Sequence, residues 1–154
     1  MFAIGVGYPL GMNEDKYLVE INRQIYQMPL EELLVWLNVE KTIMENKINS
    51  QFTHLVEIGL IIVGESKQEV CEKLFQHKPY RQGAASIENG KQVLFIGDKM
   101  FPVTKMQHEI WKCANALTSV EDIYNYVARN RGTEEKVFVD ELWALIENGC
   151  VFLV

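Results

Sequence analysis

The sequence predicts an α+β fold made of two related units, each a β-hairpin followed by helices and a closing strand. Three observations predict it. A hairpin pattern recurs 75 positions further on, a helix stopped by glycine and followed at once by an apolar strand recurs 90 positions further on, and an amphipathic helix stands between the copies. The expected division is a first unit over 1–64, a linking helix over 65–80 and a second unit over 81–154.

The hairpin copies align without gaps, Lys16 to Met28 on Lys91 to Val103. Apolar residues coincide at Leu18 and Val93, Val19 and Leu94, Ile21 and Ile96, Ile25 and Met100, Tyr26 and Phe101, Met28 and Val103. Each copy has a polar pair suited to a two-residue turn, Asn22-Arg23 and Gly97-Asp98. The same offset carries Val35-Trp36 onto Ile110-Trp111. In the first helix Pro29 suits the opening turn, and Leu30, Leu33, Leu34 and Leu37 recur at helical spacing. In the second, Thr104 suits an N-cap and Met106, Ile110, Trp111 and Ala114 mark the buried face.

The closing segments, His54 to Val63 and Ala144 to Leu153, each read as a helix ended by glycine and then a strand. The 15 further residues of the second copy hold a middle helix behind Thr118 or Ser119, with Val120, Ile123, Tyr124 and Val127 on one face. The first copy shortens this helix to a turn around Thr42 to Glu45. Between the copies Ser66-Lys67-Gln68-Glu69 is a capping-box pattern, opening a helix with Val70, Cys71, Leu74 and Phe75 on one side.

Hairpin, helices and closing strand in this order resemble the winged-helix domains of the helix-turn-helix class. Within that class they are similar to the PqqD-type peptide-recognition units of modified-peptide biosynthesis. The residues that carry the likeness are Val93 to Val103, Glu109-Ile110-Trp111, Val120 to Ile123 and Val137 to Gly149. All are apolar, turn or cap positions, and the first unit departs from the pattern by its missing middle helix. The resemblance implies peptide recognition along the last strand of the small sheet. In the second unit that strand offers Lys99, Met100, Phe101 and Val103, with Val137, Glu141 and Leu145 of the final helix as groove residues. Trp36 and Trp111 are expected in the two cores, and Trp143, one position off the apolar stripe, partly exposed.

Composition narrows the function. Fifteen Lys and Arg against 21 Asp and Glu give a net charge of −6 in 154 residues, which repels polyanions on average. Six bases face eleven acids up to residue 75, and nine face ten thereafter, so the acidity is mostly N-terminal. Three widely spaced cysteines, Cys71, Cys113 and Cys150, suit a reducing cytoplasm. No apolar run approaches the ~20 residues of a membrane helix, so no membrane partner is expected.

No enzyme signature stands out: His54, His77 and His108 are isolated, Gly5-Val6-Gly7 lacks the third glycine of a phosphate loop, and Cys113 has no base nearby in sequence. No cofactor and no metal are expected. The leading expectation is a non-enzymatic adaptor for a peptide or protein partner.

The alternative is a DNA-binding regulator acting as a homodimer. The final helix of the second unit carries Lys136 against five acids and would be repelled by phosphate. The last helix of the first unit, with Lys47, Asn49, Gln51 and His54, is the one suited to reading base edges. A basic cluster of Lys99, Lys105 and Lys112, with Lys78, Arg81, Lys91, Arg129 and Arg131 nearby, is the remaining candidate for anion contacts.

Overall fold

The computed structural model describes residues 1–39 and 49–154. The chain divides into two units, Met1–Leu74 together with Leu153–Val154, and Phe75–Phe152. Each is an α+β body of small sheets and helices, and the strands, the first helix and the last helix with its closing strand recur from one to the other.

The first unit begins with strand β1 (Phe2–Gly5), then a three-stranded antiparallel meander of β2 (Tyr8–Asn13), β3 (Lys16–Ile21) and β4 (Gln24–Met28) in the order β2-β3-β4. Helices α1 (Leu30–Asn38) and α2 (Ser50–Glu57) pack on each other, and β5 (Ile61–Gly64) returns to pair antiparallel with β1. Helix α3 (Lys67–Lys73) lies against β1 and β5 and buries Val70, Cys71 and Leu74, so it belongs to this unit. Ser66 caps it as the pattern predicts, its side chain accepting from Glu69 N.

In the second unit β6 (Pro79–Arg81) pairs with β10 (Val151–Leu153), and β7 (Ala84–Glu88), β8 (Lys91–Ile96) and β9 (Lys99–Pro102) form the second meander. Helix α4 (Lys105–Cys113) packs on α5 (Val120–Val127) and α6 (Glu135–Glu147). Thr104 closes a full capping box with Gln107, and Ser119 caps α5. Helix α5 is the expected middle helix. The turn expected in its place in the first unit, around 42–45, lies outside the described residues.

The repeat extends into the register. The turns Glu14-Asp15 and Asn89-Gly90 are equivalent, as are Asn22-Arg23 and Gly97-Asp98. A bulge between Pro9 and Gly11 gives β2 one residue more than β7, so the offset between copies is 75 after the bulge and 76 before it. Val6 N donates to Leu60 O at 2.9 Å, and Gln82 N to Cys150 O at 2.9 Å. The helix exits match too. Leu60 N donates to Leu55 O at 2.9 Å and Cys150 N to Leu145 O at 2.8 Å, past Gly59 and Gly149, both at positive φ as the predicted stops require.

The apolar pattern of α1 divides differently from the simple expectation. Leu33 and Trp36 enter the core with Val19, Met28, Phe52 and Leu55, while Leu30, Leu34 and Leu37 are turned away from it. Trp36 and Trp111 are both buried, as predicted. Trp143 is also buried rather than partly exposed, because its Nε1 donates to Glu147 Oε1 at 2.6 Å one turn along α6, which gives the indole's polar edge a partner. No described helix is long and apolar enough to cross a membrane.

Candidate functional site

Strand alternation aims Gln24, Tyr26 and Met28 toward the helices and Ile25 and Gln27 the other way. Met28 is fully buried and Tyr26 half-buried, while Ile25 is 61% exposed. The hairpin residues Ile21, Gln24, Ile25 and Tyr26 line a cavity of about 170 Å³ with Ile58 and Leu60, which follow α2.

Beside this cavity stands a cluster of three titratable side chains. Tyr26 Oη donates to Glu32 Oε2 at 2.8 Å and lies 3.2 Å from His54 Nε2, which is 3.7 Å from Glu32 Oε1. The phenol has one proton and gives it to Glu32, so His54 meets the same oxygen as a donor through Nε2–H. Glu32 is buried, the sort of carboxylate that needs such a partner. Burial, the bond to Glu32 and that carboxylate's charge push the Tyr26 hydroxyl up to about 12, which keeps it protonated. The cluster is an anchored hydrogen-bonded post at the cavity wall, with no activated nucleophile in it. Its counterparts in the second unit are Phe101, Gln107 and Ala144, none of them titratable. That contrast between copies is the sequence signal that marks Tyr26, Glu32 and His54 as a local specialisation.

The second predicted strand is β9. Lys99 and Met100 are exposed, Phe101 and Val103 half-buried, and among the described residues the strand pairs on its β8 side alone, Leu94 with Phe101 and Phe95 with Met100. Val103 N donates to Gln92 O at 3.1 Å, which places the outward-facing backbone groups at Met100 and Pro102. Proline has no N–H, so this edge is half blocked. On α6, Val137 is exposed, Glu141 half-buried and Leu145 fully buried, so Leu145 is core and lines no groove.

Strand β4 is the equivalent edge of the first unit, with no proline inside it. Its closing pair is Ile21 with Gln24, so alternation turns the N–H and C=O of Ile25 and Gln27 outward. The described structure therefore places an uninterrupted open edge next to an apolar cavity in the first unit.

Of the residues considered for base reading, Lys47 lies outside the described residues. Asn49 accepts from Phe52 N as the N-cap of α2, and His54 is engaged by Tyr26, while Gln51 is half-buried and accepts from Ser50 Oγ at 3.2 Å. The basic cluster is partly tied down. Arg81 stacks over Trp111 at 5.3 Å and donates to Lys112 O, and Arg131 pairs with Glu109 and lies 5.5 Å over Tyr126. The Cys113 thiol is pushed up by burial and then by Glu109, the reverse of an activated nucleophile. Among the described residues no group of three His, Cys, Asp or Glu could hold a metal ion.

No family model matches the chain. No solved structure matches it. It is similar to a tRNA(Ile)-lysidine synthase of Buchnera aphidicola subsp. Schizaphis graminum, 23% identical over 128 residues that cover 77% of this chain and 28% of that protein. The chain thus spans less than a third of the curated relative it matches.

Proposed function

We propose that the chain is a non-catalytic binding module that takes an extended segment of a peptide or protein partner as an added strand, in a manner similar to PqqD-type units. The observation that supports this reading is the open β4 edge, with Ile25 and Gln27 presenting backbone groups beside the cavity lined by Ile21, Ile25, Ile58 and Leu60. Backbone bonds of about 1 kcal/mol each do not outweigh the cost of association. An apolar partner side chain entering the cavity supplies the remainder, about 1.5–3 kcal/mol when fully buried. In the second unit Lys99, Met100, Phe101 and Val103 offer the corresponding edge, with Val137 and Glu141 on α6, and Pro102 makes it the weaker of the two.

The test is titration of the full chain with extended peptides bearing a branched apolar residue. Saturable binding lost on Ile25→Asp supports the β4 edge, and loss on Phe101→Asp supports the β9 edge. Binding untouched by both substitutions overturns the reading. Steeply salt-dependent DNA association lost on Gln51→Ala replaces it with the regulator.

A further inference from the structure

Each meander has two outer strands, and in each copy one of the two is blunted. In the first unit β2 carries Pro9 and a bulge before Gly11, while β4 is open. In the second unit β9 carries Pro102, and β7 is the unguarded strand. Its run Ala84-Ala85-Ser86-Ile87-Glu88 holds no proline, no glycine and no bulge, every residue in it is exposed, and Ile87 is 69% exposed. Its one charge, Glu88, lies at the turn end opposite Lys91. The turn Asn89-Gly90 makes Glu88 and Lys91 a hydrogen-bonded pair, so Ser86 and Ala84 also bond to β8, and the N–H and C=O groups of Ala85 and Ile87 face outward. An edge without the usual guards is one that can pair.

We infer that β7 pairs antiparallel with β7 of a second copy of this chain, about a two-fold axis at Ser86. The strand is complementary to itself in that register. Ala85 meets the partner's Ile87 and Ile87 the partner's Ala85, small against large, with the four outward backbone bonds made. The two serines face each other, and each Glu88 lies opposite an alanine, so the two carboxylates stand at opposite ends of the pair. An axis at Ala85 or Ile87 leaves two bonds, because the next outward residue is then Gly83 or Asn89, both at positive φ. A flexible peptide could offer the same side chains, but it pays to become a strand, whereas β7 is already held by β8. The two-fold also closes the assembly: the joined sheet ends on β9 at both sides, where Pro102 withholds a donor. One strand pair buries less than the roughly 1,200–2,000 Å² of a stable interface, so the dimer forms and separates with concentration. Nothing in this depends on strand addition at β4.

Sedimentation velocity of the full chain, over about two decades of concentration reaching the millimolar range, tests this. Wild type passes from monomer to dimer. Ala85→Pro removes an outward N–H and no bond to β8, and it moves the midpoint about tenfold or more higher, as does Ile87→Lys, while Ile25→Asp leaves it in place. The register has its own readout, in chains carrying Cys113→Ser. Ser86→Cys links two copies under mild oxidation with diamide, because facing positions of a non-hydrogen-bonded pair lie within disulfide reach, and Glu88→Cys links about tenfold more slowly. A monomer throughout the range, a dimer indifferent to both Ala85→Pro and Ile87→Lys, a dimer that Ile25→Asp disperses, or equal linking at 86 and 88 would each overturn the proposal.

Discussion

Trp36 Nε1 donates to the Val6 carbonyl oxygen at 3.0 Å, fastening the first helix after the meander to the link between β1 and the meander's first strand. Trp111 repeats the bond to Gln82 at 2.8 Å. Each indole joins two ends of its own unit, so it acts as a clasp as well as core filler. Trp36→Phe removes the donor and leaves a buried carbonyl unsatisfied, at a cost of about 2–3 kcal/mol in chemical denaturation. Trp111→Phe costs less, because its bond is only part-buried. Equal stability of wild type and Trp36→Phe would refute the clasp.

Gly83 stands beside that second carbonyl at positive φ, and a Cβ there would collide with the Phe95 carbonyl oxygen and Ile96 Cδ1. A backbone oxygen cannot step aside as a side chain can. Gly83→Ala is therefore expected to destabilise by about 3 kcal/mol or more, against about 1 kcal/mol for Gly149→Ala, which has positive φ but open space. Comparison of the two variants by denaturant midpoint separates collision from conformational strain.

Tyr26 is a titration marker for the cluster with Glu32 and His54. Its hydroxyl is raised in the folded chain from an ordinary value near 10 to about 12, so the fold favours the protonated form. That contribution to stability is complete below pH 10 and is lost as pH rises through about 12. Tyrosinate absorbance should show a last step near pH 12, and Tyr26→Phe should remove it. If the last step survives the substitution, the assignment fails.

The cysteines should separate by accessibility. Cys71 and Cys150 are buried, and burial pushes the Cys150 thiol up to about 11, whereas Cys113 is half-buried. A small alkylating reagent at neutral pH should modify Cys113 first and reach the other two only on unfolding. Equal labelling rates in the native chain would contradict the packing described.

Much of the fold is legible in sequence because its signals are local. The turns at Asn22-Arg23 and Gly97-Asp98, the caps at Thr104 and Ser119, and the glycine stops at Gly59 and Gly149 are all encoded within a few residues. The first strand of each meander is not legible, because β7 is exposed along its whole length and β2 is broken by Pro9 and Gly11. Those segments become strands only by pairing with β8 and β3. Helical spacing marked Leu30, Leu34 and Leu37 without telling which side of α1 faces the core. The Tyr26, Glu32 and His54 cluster was hidden for a related reason: Glu32 reads locally as an acidic first-turn residue, and only the tertiary fold brings it to a phenol and an imidazole.

The proline that distinguishes the two outer strands bears on colloidal behaviour as well as on recognition. In the second copy Pro102 interrupts the row of donors that could recruit another chain into cross-β stacking. In the first copy the run Gln24-Ile25-Tyr26-Gln27 carries neither proline nor charge, the composition from which fibrils grow. At high concentration this strand is where self-assembly would start.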